Sequence, residues 1–369
     1  MRKLYVVFTC IILGITIISV PISSDENTSN IIIVDDDGSA DFISIQEAID
    51  YADEGDTIFV YSGTYYGNIS IHKSLSIIGE DKYSTIIDGT DIVWAAVITA
   101  PNGAVIENFT IKNSRAGVRI GEWNASSKNN IIQNNIISVK INGILVYSSE
   151  NDIISNNTIM NCNEDGITIR DGSQNIKITG NLIFNCGRDG IWVYTKNIVI
   201  SGNEIYNNGR NGIMLGYELV DNVRVTNNNI HSNGEHGIYI CSSSFPGICS
   251  YTIENNIVSN NYYCGIWITG PALNIKIKNN HFQDNGASGV EFDRVLLSSV
   301  KQNNFINNGR NAWFDLSLFN LWSNNYWDDW GGIGPKLISG LLNLPSFPIT
   351  YDLPWINFDW FPAKEPYDL

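Results

Sequence analysis

The pentapeptide Asn207-Asn208-Gly209-Arg210-Asn211 returns unchanged as Asn307-Asn308-Gly309-Arg310-Asn311, 100 residues later. Between the copies, similar asparagine-rich scraps recur with a fixed companion. Asn108, Asn134, Asn157, Asn181, Asn203, Asn228, Asn256, Asn280 and Asn303 are followed nine residues on by Gly117, Gly143, Gly166, Gly190, Gly212, Gly237, Gly265, Gly289 and Ala312. Successive asparagines stand 22 to 28 residues apart while the inner segment stays constant. That pattern predicts a solenoid whose insertions are confined to one segment.

The columns decide which solenoid. Three residues before each Asn stand Val105, Ile131, Ile154, Ile178, Ile200, Val225, Ile253, Ile277 and Val300, and directly after the Gly come Val118, Ile144, Ile167, Ile191, Ile213, Ile238, Ile266 and Val290. Two further on, Ile120, Val146, Ile169, Val193, Leu215, Ile240, Ile268 and Phe292 continue the alternation. β-Branched and bulky residues at period two mean strand. Leucine-rich repeats share the period but need Leu at set positions and a helical segment, and neither is present. The prediction is an all-β parallel β-helix over residues 31–325, about one coil per 24 residues. Asn and Gly would supply left-handed backbone at the corners, and stacked Asn would bond amide to amide. NNGRN is then a corner and its flank, its two copies four coils apart.

Both ends depart from the repeat. Ser44 with Glu47 three on forms a capping box, and Ile45, Ala48, Ile49 and Ala52 share one apolar face. Residues 44–52 are therefore expected as a helix covering the N-terminal end. From Trp313 onward lie six of the ten Trp, and the late Pro345, Pro348, Pro354 and Pro362 argue against regular strands. Residues 326–369 are expected as an irregular cap.

The chain of 369 residues is 43% hydrophobic but only 16% charged, with a net charge of −16. Such a balance excludes nucleic acid, which needs clustered Lys and Arg, and an anionic lipid surface. Met1-Arg2-Lys3, the apolar Leu4 to Val20 and Pro21-Ile22-Ser23-Ser24 read as a secretory signal over 1–24. The same segment, if retained, is an N-terminal anchor. A secreted or cell-surface location follows. Of the cysteines beyond Cys10, none forms a CxxC pair, so no zinc site is expected. Cys162 and Cys186 each lie five residues after their Asn, one rung apart: a disulfide or a stacked pair of thiols. Cys241 and Cys249 are expected to close "CSSSFPGIC", leaving Cys264 free.

The stretch "FISIQEAIDYADEGDTIFVYSGTYYGNISIHKSLSIIGEDKYSTIIDG" resembles the opening of right-handed parallel β-helix surface proteins with pectin-lyase-like repeats, often grouped with the NosD-type domain. "NLWSNNYWDDWGG" resembles the ending of archaeal members. The resemblance spans roughly residues 31 to 362 and implies the fold and export. It does not select an activity, because the fold hosts lyases, hydrolases, epimerases, adhesins and assembly factors. Copper handling, the named NosD role, calls for Met, His and Cys ligands, whereas His72, His231, His236 and His281 form no cluster.

Chemistry is expected on the strand after the Gly. In-register outward positions place Tyr147, Trp192, Tyr194, Tyr239 and Trp267 on one exterior face, flanked by Arg119, Arg170 and Asp293. Aromatics on a flat sheet suit sugar rings, with polar groups for the hydroxyls. The competing reading is cross-strand aromatic packing. Asp165 and Asp189 occupy one column on neighbouring coils, near Arg170 and Arg188, where they could form a glycosidase pair or half of a Ca²⁺ site. Beside Glu164, Arg188, Arg210 and Glu235 they read instead as a surface charge ladder. His236-Gly237 resembles the His-Gly pair of polygalacturonases, but the other polygalacturonase motifs and the Asp-Pro-His-Asp motif of alginate epimerases are absent. Asp35-Asp36-Asp37-Gly38 lacks EF-hand spacing and reads as a turn, so no cofactor is expected.

The expectation is an exported protein binding a polysaccharide or a glycoprotein glycan, or serving a structural adhesive role, without catalysis. The alternative is a polysaccharide lyase or glycoside hydrolase with Asp165, Asp189, Arg170 and His236 at its site.

Overall fold

The computed structural model describes residues 29–90, 94–99, 102–121, 126–170, 172–217, 220–242, 250–346 and 349–369. The expected signal segment 1–24 and Cys249 lie outside the described residues.

Each coil contributes three short strands. In one coil these are Ile131–Gln133, Ile136–Ser138 and Asn142–Val146, and each pairs in parallel with its counterparts above and below. The stacking builds three faces around a dry interior, the architecture expected from the repeats. Ile132, Ile154, Ile178 and Ile200 line one inward column, and Ile137, Ile159, Ile183 and Ile205 a second, all fully buried. Burying such a side chain contributes about 1.5–3 kcal/mol, so the columns supply the main driving force. Toward the C-terminus isoleucine gives way to aromatics, with Phe282 stacked on Phe305 at 5.1 Å and Phe305 on Trp327 at 4.3 Å.

The register corrects two coils. Phe109 and Asn135, not Asn108 and Asn134, stand in the column of Asn157, because Ile132 pairs with Ile154 and Asn135 bonds Asn157. Ile106 and Ile132 consequently point inward, while Val105 and Ile131 are half-exposed. Period two makes a one-residue slip exchange the two faces.

At the corner between the first two strands, paired asparagines divide the work. The first of each pair turns the chain: Asn134, Asn156, Asn227, Asn255 and Asn279 hold φ between 54° and 59°. The second builds a ladder. Asn135 donates from its backbone N and its Nδ2 to Asn157 Oδ1 at 3.0 and 3.1 Å, and the motif repeats through Asn181, Asn203, Asn228, Asn256, Asn280 and Asn303 to Asn325. Asn325 then donates to Asp359 Oδ2 at 2.9 and 3.0 Å, so a carboxylate closes the ladder. NNGRN obeys the same logic at the next corner. Asn207 and Asn307 turn at φ 53°, while Asn208, Asn233, Asn261, Asn285 and Asn308 form a second ladder.

The repeated Gly has a different cause from the one expected. Gly143, Gly166 and Gly190 are not in left-handed conformation. A Cβ on Gly166 would stand 2.5 Å from Ile183 Cγ2 and 2.6 Å from the Gly190 carbonyl oxygen. These positions are glycine because adjacent coils approach too closely for a side chain.

Cys162 and Cys186 sit one rung apart at the head of the second ladder, with Cys186 N donating to Asn208 Oδ1. They are free buried thiols and not a disulfide. Each Sγ turns toward the carbonyl two residues before it, at 3.8 Å, and the two thiols stack on neighbouring rungs. Contact with the Cys186 thiol, then burial, pushes the Cys162 pKa well up. Cys241 and Cys264 are also free.

The N-terminal helix spans Ile45–Tyr51, with Ser44 Oγ accepting from Glu47 N and Ile45, Ala48 and Ile49 buried against the first coils. The C-terminal segment is more regular than its prolines imply. Lys336–Ser346 and Ile349–Asp359 pair as a long antiparallel hairpin whose base continues the third and first faces, at Phe314 with Gly340 and at Trp322 with Asp359. Pro345 and Pro354 fall within it because a two-stranded ribbon has free edges that need no N–H.

Candidate functional site

The third face, which follows the Gly column, gathers most of the chemistry. Its outward column reads Arg119, Leu145, Thr168, Trp192, Met214, Tyr239, Trp267, Glu291 and Trp313, rung for rung. Four of the expected aromatics come together as two pairs along this face. Trp192 meets Tyr194 edge-on at 5.8 Å, and Tyr239 stacks on Trp267 at 4.8 Å. Tyr147 stands two rungs from Tyr194, beyond Arg170, outside both pairs. The expected flat, exposed platform is instead a groove. Leu145, Thr168 and Met214 are buried and the rings only half-exposed.

Asp165 and Asp189 are not surface charges. They are 1% and 3% exposed at the floor of a cleft of about 330 Å³, lined also by Arg170, Arg188, Trp192, Tyr194, Arg210 and Met214. Asp165 Oδ1 accepts from Asp189 N at 3.2 Å and Oδ2 from Thr168 Oγ1 at 3.0 Å. Asp189 Oδ1 accepts from Asn211 N and Nδ2 at 3.0 and 2.8 Å. Burial, then repulsion from Asp189, pushes the Asp165 pKa up from 3.8 to about 6. Burial also raises that of Asp189. The expected charge ladder exists one residue earlier in each coil, where Arg188 pairs with Glu164 at 3.7 Å and Arg210 with Glu235 at 3.4 Å.

Arg170 stands over the Trp192 ring, its Cζ 4.6 Å from the centroid. Arg170 Nε and Trp192 Nε1 are both buried without a hydrogen-bond acceptor.

His236 occupies the same column as Asp165 and Asp189, two rungs beyond Asp189, and lies among Tyr239, Tyr263 and Trp267 at 5.6, 5.5 and 4.9 Å. Its Nδ1 accepts from Cys264 N at 3.1 Å, which leaves the proton on Nε2. Burial lowers its pKa to about 4, so the ring is a neutral donor at ordinary pH. His236 is thus a wall of the aromatic half of the groove and is separate from the carboxyl cleft.

Met214, Tyr263 and the cleft-facing role of Arg188 and Arg210 were missed by the sequence reading. Their columns could be tabulated, but Arg and Glu alternating in one column look like ordinary surface charge. Among the described residues no three His, Cys, Asp or Glu converge on a metal-sized site. Asp37 is spent on its own turn, accepting from Ser39 N, and Asp36 on the neighbouring coil, accepting from Thr64 N.

This fold defines the class. The chain belongs to the family of the right-handed β-helix region, which matches residues 94–250 and 222–336. Among solved structures it is similar to the A-module of mannuronan C-5 epimerase AlgE4 from Azotobacter vinelandii, at 17% identity and a TM-score of 0.58 over 75% of this chain and 90% of that one. It is similar to DFA-IIIase from Arthrobacter chlorophenolicus, at 15% identity, TM-score 0.57, covering 74% and 84%. A double mutant of the periplasmic alginate epimerase AlgG follows at 18% identity, TM-score 0.55, covering 73% and 76%. At such identities the likeness is one of fold. Comparison with curated proteins finds no match.

Proposed function

We propose that this chain is an exported polysaccharide-recognition protein that holds a glycan in the groove of its third face by binding and not by cleavage. The observation that supports it most is the two pairs of half-exposed rings on one face, Trp192 with Tyr194 and Tyr239 with Trp267, with charged and neutral donors beside them. Ring faces match the apolar faces of sugars, and Arg170 and His236 Nε2 supply donors for hydroxyls. Structural neighbours whose names describe epimerases of mannuronan and alginate are consistent with a saccharide ligand. The apolar N-terminal segment favours a secreted or surface-attached location.

A second reading, a lyase or hydrolase, is favoured by one observation. Asp165, its pKa raised to about 6, lies beside Asp189 in the cleft, a pairing of carboxyls that suits acid and base roles. One experiment separates the two: incubation with a panel of polysaccharides, scoring retention together with reducing ends and unsaturated uronides. Retention without product supports binding; product that disappears in Asp165→Asn makes the protein an enzyme. Absence of both across the panel would sink the glycan reading.

A further inference from the structure

The Arg170–Trp192 stack holds a cation that has no ion-pair partner among the described residues, in a cleft where Arg188 and Arg210 are both paired. Arg188 and Arg210 answer Glu164 and Glu235. The Arg170 guanidinium has no carboxylate partner among the described residues, although Asp165 and Asp189 line the same cleft. Those carboxyls are turned to other donors: Asp165 to Asp189 N and Thr168 Oγ1, Asp189 to the Asn211 amide. The Trp192 ring beneath it holds the guanidinium by cation–π attraction, Cζ 4.6 Å from the centroid, so less side-chain freedom remains to be lost when a ligand binds. Beside it Trp192 Nε1, a pure donor, also lacks an acceptor. Two adjacent donors without acceptors, one of them a rigid fork, are the complement of a planar or tetrahedral oxyanion.

We propose that Arg170 and Trp192 form a subsite for an oxyanion, a carboxylate or sulfate carried by one sugar of the bound glycan. The inference rests on the glycan reading of the groove and names its ligand's charge. Arg188 and Arg210 stand at the rim of the same cleft, their charges offset by Glu164 and Glu235. The aspartates of the floor are turned away from the stack, Asp165 to Thr168 Oγ1 and Asp189 N and Asp189 to the Asn211 amide. Tyr194, edge-on to Trp192, leaves the adjoining position suited to the sugar ring. Arg170 thus selects charge while the tryptophan and tyrosine hold the ring.

The test uses the full chain and four soluble polymers: polygalacturonate, its carboxyl-reduced neutral form, dextran sulfate and dextran. Affinities are measured by titration calorimetry for wild type, Arg170→Gln and Trp192→Phe. Wild type is expected to bind one anionic polymer at least tenfold more tightly than its neutral counterpart. Which of the two it prefers tells carboxylate from sulfate. Arg170→Gln should abolish that preference, and Trp192→Phe, which keeps the ring but loses the N–H, should reduce it about threefold. Equal affinity for charged and neutral polymers, or a preference that survives Arg170→Gln, overturns the subsite and leaves the glycan groove standing. Failure of all four polymers to bind overturns the groove and the subsite together.

Discussion

Two columns of the same solenoid, built on the same rung spacing, have opposite compositions. The corner column from Asn135 to Asn325 repeats one residue nine times, each amide bonded to the next. The column before the Gly changes at nearly every coil: Asn142, Asp165, Asp189, Asn211, His236, Cys264, Ser288. A ladder is self-complementary only if every rung offers the same donor and acceptor, so uniformity is what corner geometry demands. The second column also bonds coil to coil, Asp165, Asp189, Asn211 and His236 each accepting from the backbone N–H one rung on, but a carboxylate, an amide or an imidazole serves equally as that acceptor, so its residues differ. Sameness marks the corner ladder, and variation marks the face proposed to meet a ligand.

The strongest way to break this comparison is to interrupt the uniform column. Asn203→Ala removes the acceptor for Asn181 N and Nδ2 and the donor to Ile178 O, all buried. At about 1–3 kcal/mol for each buried group left unpaired, the loss should be roughly 3–5 kcal/mol in denaturant unfolding. A loss below about 1 kcal/mol would mean that the ladder is ornament. Asp359 should rank next. Asp359→Ala strands Asn325 N and Nδ2 and Trp327 Nε1, for about 2–3 kcal/mol, while Asp359→Asn, which keeps an acceptor and extends the ladder, should cost clearly less.

The varied column should answer to pH. The native Asp165 pKa of about 6 lies above 3.8, so the folded chain binds more protons than the unfolded one between those values. Its contribution to stability therefore falls as pH rises through that window. His236, lowered from 6.5 to about 4, acts in the opposite sense: the unfolded chain binds more protons, and stability rises with pH. The two slopes oppose each other in wild type. Asp165→Asn should leave that of His236 exposed, with unfolding free energy rising on the order of 2 kcal/mol between pH 4 and 6.5 more steeply than in wild type. An unchanged pH profile would show that Asp165 is solvated. The smallest effect belongs to the surface: Glu164→Gln should shift stability by less than about 0.5 kcal/mol, since its pair with Arg188 is exposed.

The solenoid was legible because its forces repeat. Period-two isoleucines and Asn–Asn corners restate one instruction coil after coil, and any single rung can be misread without harm. The slip at Asn108 and Asn134 shows the limit. The two asparagines of the Asn134–Asn135 doublet look alike in sequence, and at Asn108 the stacking position holds Phe109, so only the bonds distinguish the residue that turns from the one that stacks. The Gly column was placed correctly but given the wrong cause, since close approach of coils is a three-dimensional fact. The aromatic face was readable from register alone. The burial of Asp165 and Asp189 was not, because it depends on which backbone and side-chain donors each carboxyl turns to. The C-terminal hairpin was hidden by prolines that a free-edged ribbon tolerates.

The central claim, that the varied face binds a glycan while the uniform corners only build, is tested most directly by one binding measurement. Trp192→Ala combined with Trp267→Ala removes one ring from each aromatic pair and touches neither ladder. The account predicts an unchanged β-sheet circular dichroism spectrum with affinity for a retained polysaccharide reduced at least tenfold, about 1.4 kcal/mol or more. Wild-type affinity in that doubly substituted, fully folded protein would contradict it.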